Sequence, residues 1–111
     1  MRHDPADIRR AAKLFKALSH PDRLQIACRL AEGEPTTQKV LIEEMGLPQS
    51  TLARHLSPLR ELGLVHGRRQ GPEVFLAVED PLVRTLVQSV CDWLHPQGRK
   101  RGHGNRWGHA S

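Results

Sequence analysis

Aromatic side chains are scarce. The chain has two Phe, two Trp and no Tyr among its 111 residues. Stacking platforms for single strands or RNA need several such rings, so that kind of recognition is excluded. Only two cysteines occur, Cys28 and Cys91. Two thiolates cannot build a four-cysteine zinc finger, and in a cytosolic protein they are expected to be thiols. No apolar run approaches the roughly 18 residues of a membrane span. The opening MRHDPADIRRAAK holds no apolar stretch that would serve as a secretory leader, which points to the cytoplasm. No Ser/His/Asp set, paired acids or glycine-rich phosphate loop falls at usable spacing, so an enzyme is not expected. Acid is also short: 12 Asp and Glu face 17 Lys and Arg, a net charge of +5. With a pI near 10.0, such a small domain suits an anionic partner, nucleic acid first.

What is present reads as ordered punctuation. Asp4 and Pro5 open a helix with Ile8, Ala11, Ala12, Phe15 and Leu18 at helical spacing. Ser19-His20-Pro21 breaks it, and a second helix runs to Leu30. Thr36 or Thr37 caps a short third helix, which Gly46 closes. After Leu47-Pro48 comes a fourth helix with Gln49, Ser50 and Thr51 in its first turn. Leu52, Leu56, Leu59 and Leu62 form its inward stripe. Pro58 lies inside it and is expected to kink it. The period then changes to two: Leu64-Val65-His66 and Val74 to Val78 flank the turn Gln70-Gly71-Pro72. Asp80-Pro81 starts a fifth helix with Leu82, Leu86, Val90 and Leu94 on one face. Residues 1–96 read as one domain, and the basic, Gly- and His-rich stretch 97–111 as a disordered tail.

Four helices, a hairpin and a fifth helix make a mainly α winged helix-turn-helix. The runs ALSHPDRLQI (17–26), LAEGE (30–34), GLPQSTLARHLSPLRELGLV (46–65) and RRQGPEVFLAV (68–78) resemble the ArsR/SmtB family of repressors. The resemblance covers about residues 8 to 95. It implies a homodimer on a palindromic operator, released by a metal or another inducer.

A helix entering the major groove reads bases through its N-terminal side chains. Here these are Gln49, Ser50, Thr51, Arg54 and His55, with Arg68 and Arg69 of the wing reaching phosphates or the minor groove. Ile8, Phe15, Leu86, Val90 and Trp93 are expected at a two-fold interface that sets the reading helices roughly 34 Å apart.

The metal sites the resemblance implies are missing. The third helix has Thr36-Thr37-Gln38-Lys39-Val40 and no cysteine. Asp80 matches a ligand of the fifth helix, but Pro81, Leu82, Trp93 and Pro96 stand where others belong. His3 with a free amino terminus offers a square-planar Cu(II) or Ni(II) arrangement. His95, His103 and His109 offer only a loose site whose ordering costs entropy. No metal or cofactor is assigned. The resemblance also implies, for sulfide- and persulfide-responsive members, one cysteine in each of the second and fifth helices. Cys28 matches its block; Cys91 falls about one turn early, with His95 nearer the expected place. Arg29 and His95 are the candidates to activate the thiols. The alternatives are two small buried hydrophobes, a regulator without an inducer or with a small-molecule one, and a winged helix used for protein interaction.

Overall fold

The computed structural model describes residues 2–96; the basic tail with His103 and His109 lies outside them. The order is α1 (Pro5–Leu18), α2 (Pro21–Glu32), β1 (Thr36–Thr37), α3 (Gln38–Met45), α4 (Gln49–Glu61), β2 (His66–Gln70), β3 (Glu73–Ala77) and α5 (Pro81–Leu94). The expected winged helix-turn-helix is therefore what forms, with one added strand. β1 pairs antiparallel with β3, so the sheet order is β1-β3-β2. Two residues carry no readable period, and only their pairing with Leu76 and Phe75 reveals the strand.

Most helix starts follow the residues read as caps. The Asp4 carboxylate accepts from the Ala6 amide at 2.8 Å. Thr37 Oγ1 accepts from Val40. Asp80 Oδ1 accepts from Leu82 and Val83. Such caps satisfy amides that have no partner within the helix. Asp80 is thus spent on a cap. His20, read only as part of a break, caps α2: its Nδ1 accepts the Asp22 amide at 3.1 Å. α4 continues through Pro58 to Glu61, the proline ring interrupting the hydrogen bonding without ending the helix.

The core lies between α2, α4, α5 and the sheet. Ile26, Leu30, Leu41, Leu52, Leu59, Leu76, Val78 and Val87 are fully buried in it. Arg84 and Gln88 donate to the Ala31 carbonyl at 2.6 and 3.0 Å, fastening α5 to the end of α2. One expectation is corrected. Leu62 is exposed beyond the end of α4, so the stripe ends at Leu59. In α5 the face turned inward is Val83, Val87 and Cys91; Leu82 and Leu94, on the face read from the sequence, are exposed. Leu59→Ala is expected to lower unfolding free energy by about 2–5 kcal/mol through lost burial and a cavity. Leu62→Ala is expected to cost far less. Urea denaturation of both variants checks the difference.

Candidate nucleic-acid interface

The reading element is held by its apolar side. Leu52, Leu56 and Leu59 anchor α4 in the core. The opposite side presents Gln49, Ser50 and Arg54 to solvent, with Thr51 half-buried at the edge. The turn before α4 requires Gly46, whose φ of 70° is left-handed and whose amide donates to the Ile42 carbonyl at 2.8 Å. That reversal sets the start of α4 beside α3. Pro48 precedes the first turn and provides no side-chain cap. An exposed helix start with polar side chains and a neighbouring arginine can enter a groove and donate to base edges and phosphates.

His55 is a correction. It was expected beside Arg54 on the reading face, but it is 7 % exposed and turned to α2. Its Nε2 lies 3.5 Å from Asp22 Oδ2, and its ring sits 4.4 Å from that of His20. Residue 55 follows the leucine stripe as closely as it follows Arg54; the partner that draws it inward lies on another helix. Burial first, then the charge of His20, hold the His55 pKa below its ordinary value; Arg23 and Arg54 push the same way and Asp22 opposes them. The imidazole facing Asp22 is therefore neutral at neutral pH.

A pH dependence follows. The unfolded chain takes up this proton near pH 6.5, whereas the fold resists it. Stability contributed by neutral His55 is complete above that pH. It is lost as pH falls from there to the folded-state pKa. With metal chelated, the urea midpoint is expected to fall across this window, less so in His55→Gln. An identical slope in both proteins would contradict the assignment.

The wing divides its two arginines. Arg68 grips Glu79 through two hydrogen bonds, Nη2 to Oε1 at 3.1 Å and the shorter Nε to Oε2. This pair holds the Glu79 carboxyl below its ordinary range. Arg68 must share or break that grip to reach a phosphate. Arg69 is exposed and has no ion pair among the described residues. Two cations escaped the sequence reading. Lys39 and Arg60 line a cleft with Thr37, Gln38 and Glu73 between α3, α4 and the wing. The Arg60 guanidinium lies against Gly67, where a Cβ would meet Nη2 at 2.8 Å. Neither residue belongs to the four family-like blocks' reading positions, and only the folded wing brings them beside α4.

Elsewhere, the two thiols meet. Cys28 and Cys91 are 2 % and 1 % exposed where α2 packs on α5. Hydrogen bonding with the Cys28 sulfur, then burial, then nearby Glu32 push the Cys91 pKa up. Arg29 is not an activator, because its guanidinium is bonded to the Glu44 carboxylate at 2.7 Å. His95 caps the end of α5 and is exposed. Of the residues expected at a dimer interface, Ile8, Phe15 and Trp93 are exposed and Leu86 and Val90 half-buried.

A reading helix set beside a basic wing defines a DNA-binding transcription regulator. Residues 18–68 match the helix-turn-helix domain family. The chain is 38 % identical over 79 residues to the biofilm growth-associated repressor of Xylella fastidiosa, covering 71 % of this chain and 68 % of that one. It is 31 % identical over 85 residues to the HTH-type transcriptional regulator YgaV of Escherichia coli, covering 77 % and 86 %. The structure of HlyU from Vibrio cholerae superposes with a TM-score of 0.75 at 30 % identity, over 85 % of this chain and all of that one. The chain belongs to the winged helix-turn-helix family of transcriptional regulators. Among the described residues no helix is long and apolar enough to cross a membrane.

Proposed function

We propose that the protein is a cytoplasmic, homodimeric repressor whose hold on its operator is weakened when Cys28 and Cys91 become covalently linked. The observation that carries this reading is that Cys28 and Cys91 are buried neighbours where α2 packs on α5. α2 supports the reading helix through the core. α5 carries Trp93 and Leu94 outward, next to the apolar surface that a partner copy would cover. A bridge between these helices ties the DNA-reading half to the dimer half.

The chemistry closes with a persulfide as oxidant. Two thiols and one persulfide give a disulfide, one thiol and hydrogen sulfide. Two thiols and two persulfides give a trisulfide, two thiols and hydrogen sulfide. One sulfur attacks the persulfide and the other closes the bridge. Burial makes local opening a requirement, and the reaction is expected to be slow beside that of an exposed thiol.

On DNA, Gln49, Ser50, Thr51 and Arg54 serve as the base-reading set and Arg69 as a phosphate contact. Arg68 joins it only by loosening Glu79. The testing experiment selects duplexes from a random pool with the reduced protein. It then follows binding before and after persulfide treatment, with the cysteines mapped by mass spectrometry. Binding that is salt-dependent and sequence-selective separates this reading from a protein-interaction module, which would show neither.

A further inference from the structure

DNA reading does not use His20, Asp22 and His55, yet the fold brings them together. His20 caps α2, Asp22 opens it, and His55 belongs to α4. Each offers one ligand atom, and these atoms all lie within 4.8 Å of one another. His55 is more than nine-tenths buried, and its Nδ1 has no hydrogen-bond partner among the described residues. His20 and Asp22 are half-buried, which leaves a route from solvent.

We propose that His20, Asp22 and His55 bind one divalent ion of the zinc class, joining the start of α2 to the reading helix. Two imidazoles and one carboxylate are borderline-soft and hard donors that suit zinc and leave a fourth position for water. Ligands about 2.0–2.1 Å from a tetrahedral ion stand roughly 3.3 Å from each other. His55 Nε2 and Asp22 Oδ2, at 3.5 Å, are already spaced that way. His20 Nδ1 spends its lone pair on the Asp22 amide at 3.1 Å. It turns from that amide to the ion, and the amide is left to water. The site is separate from those implied by the family resemblance, since it uses neither Asp80 nor either cysteine. Sequence reading passed over it because each residue had a nearer explanation: a break, a helix start and a reading face.

The test uses the full chain under reducing conditions, with His3, His95, His103 and His109 changed to Gln to remove competing donors. Cobalt(II) is the probe. The expected result is one equivalent bound with the visible absorption of a four-coordinate nitrogen and oxygen site and no thiolate charge-transfer band. Zinc at about 100 times its Kd is expected to raise the Tm by roughly 10–20 °C. His20→Asn, which keeps a capping oxygen, and Asp22→Asn are expected to fold and to lose both signals. Three results overturn the proposal: no cobalt absorption from the folded parent, a thiolate band, or signals unchanged in both variants. None depends on DNA binding or on a cysteine bridge, so failure here leaves the repressor reading standing.

Discussion

Replacing Phe15 and Trp93 together with Asp is expected to separate the dimer and to lower operator affinity about 100- to 10,000-fold. These side chains are 58 % and 78 % exposed, large apolar groups left uncovered by the described residues. Ile8, Leu82 and Leu94 extend the exposure over α1 and α5. Burying charge at the centre of a two-fold contact is strongly unfavourable, and symmetry doubles each substitution. A dimer places its second reading helix at the second half-site at high effective concentration; a monomer loses that gain, which spans about two to four orders of magnitude. Neither residue belongs to the core, so the fold is expected to persist by circular dichroism. Light scattering reads the mass and fluorescence anisotropy the affinity. A double variant that stays dimeric, or a monomer that binds as tightly as the parent, would contradict this assignment of the interface.

Linking Cys28 to Cys91 is expected to lower operator affinity by roughly 5- to 150-fold, the range of ordinary coupling energies between sites. The two thiols are buried neighbours, so the bridge can close once local opening has admitted the persulfide. Its effect comes afterwards, when a covalent tie fixes the α2–α5 packing in a core where both residues are fully enclosed. A trisulfide inserts an additional atom into that packing and is expected to act more strongly than the disulfide. Cys28→Ser and Cys91→Ser are expected to bind DNA when untreated and to show no response to persulfide. If the bridge forms in full and affinity is unchanged, the switch is wrong and both residues serve only as packing.

Where sequence was legible, it was so because the responsible chemistry is local. Asp4-Pro5, Thr37, Gly46 and Asp80-Pro81 act on amides or dihedral angles within their own few residues, and each sits where it was read. The change of period from helix to hairpin located the wing, although β2 begins two residues and ends four residues later than read, and β3 lies one residue earlier. What was not legible depends on partners distant in the chain. α5 has two apolar stripes, and periodicity alone does not say which one its own domain covers; α2 selects Val83, Val87 and Cys91. His55 is taken from the reading face by Asp22 and His20. Arg68 is taken from the phosphate set by Glu79, across the wing. The approach of Cys28 to Cys91 despite the one-turn offset also belongs to the packing of two helices, which no spacing within either helix records.

Quantitative binding of Arg54→Ala and Arg69→Ala, measured by anisotropy against the selected operator and an unrelated duplex at several salt concentrations, tests the central claim most directly. Arg54 projects from the exposed side of α4. Its loss is expected to cost about 1–3 kcal/mol on the operator and little on the unrelated duplex, so that base preference relaxes. Arg69 is expected to weaken both duplexes alike and to reduce the salt slope by about one. If both variants bind the operator as the parent does, with the same salt slope, α4 and the wing are not the surface that reads DNA.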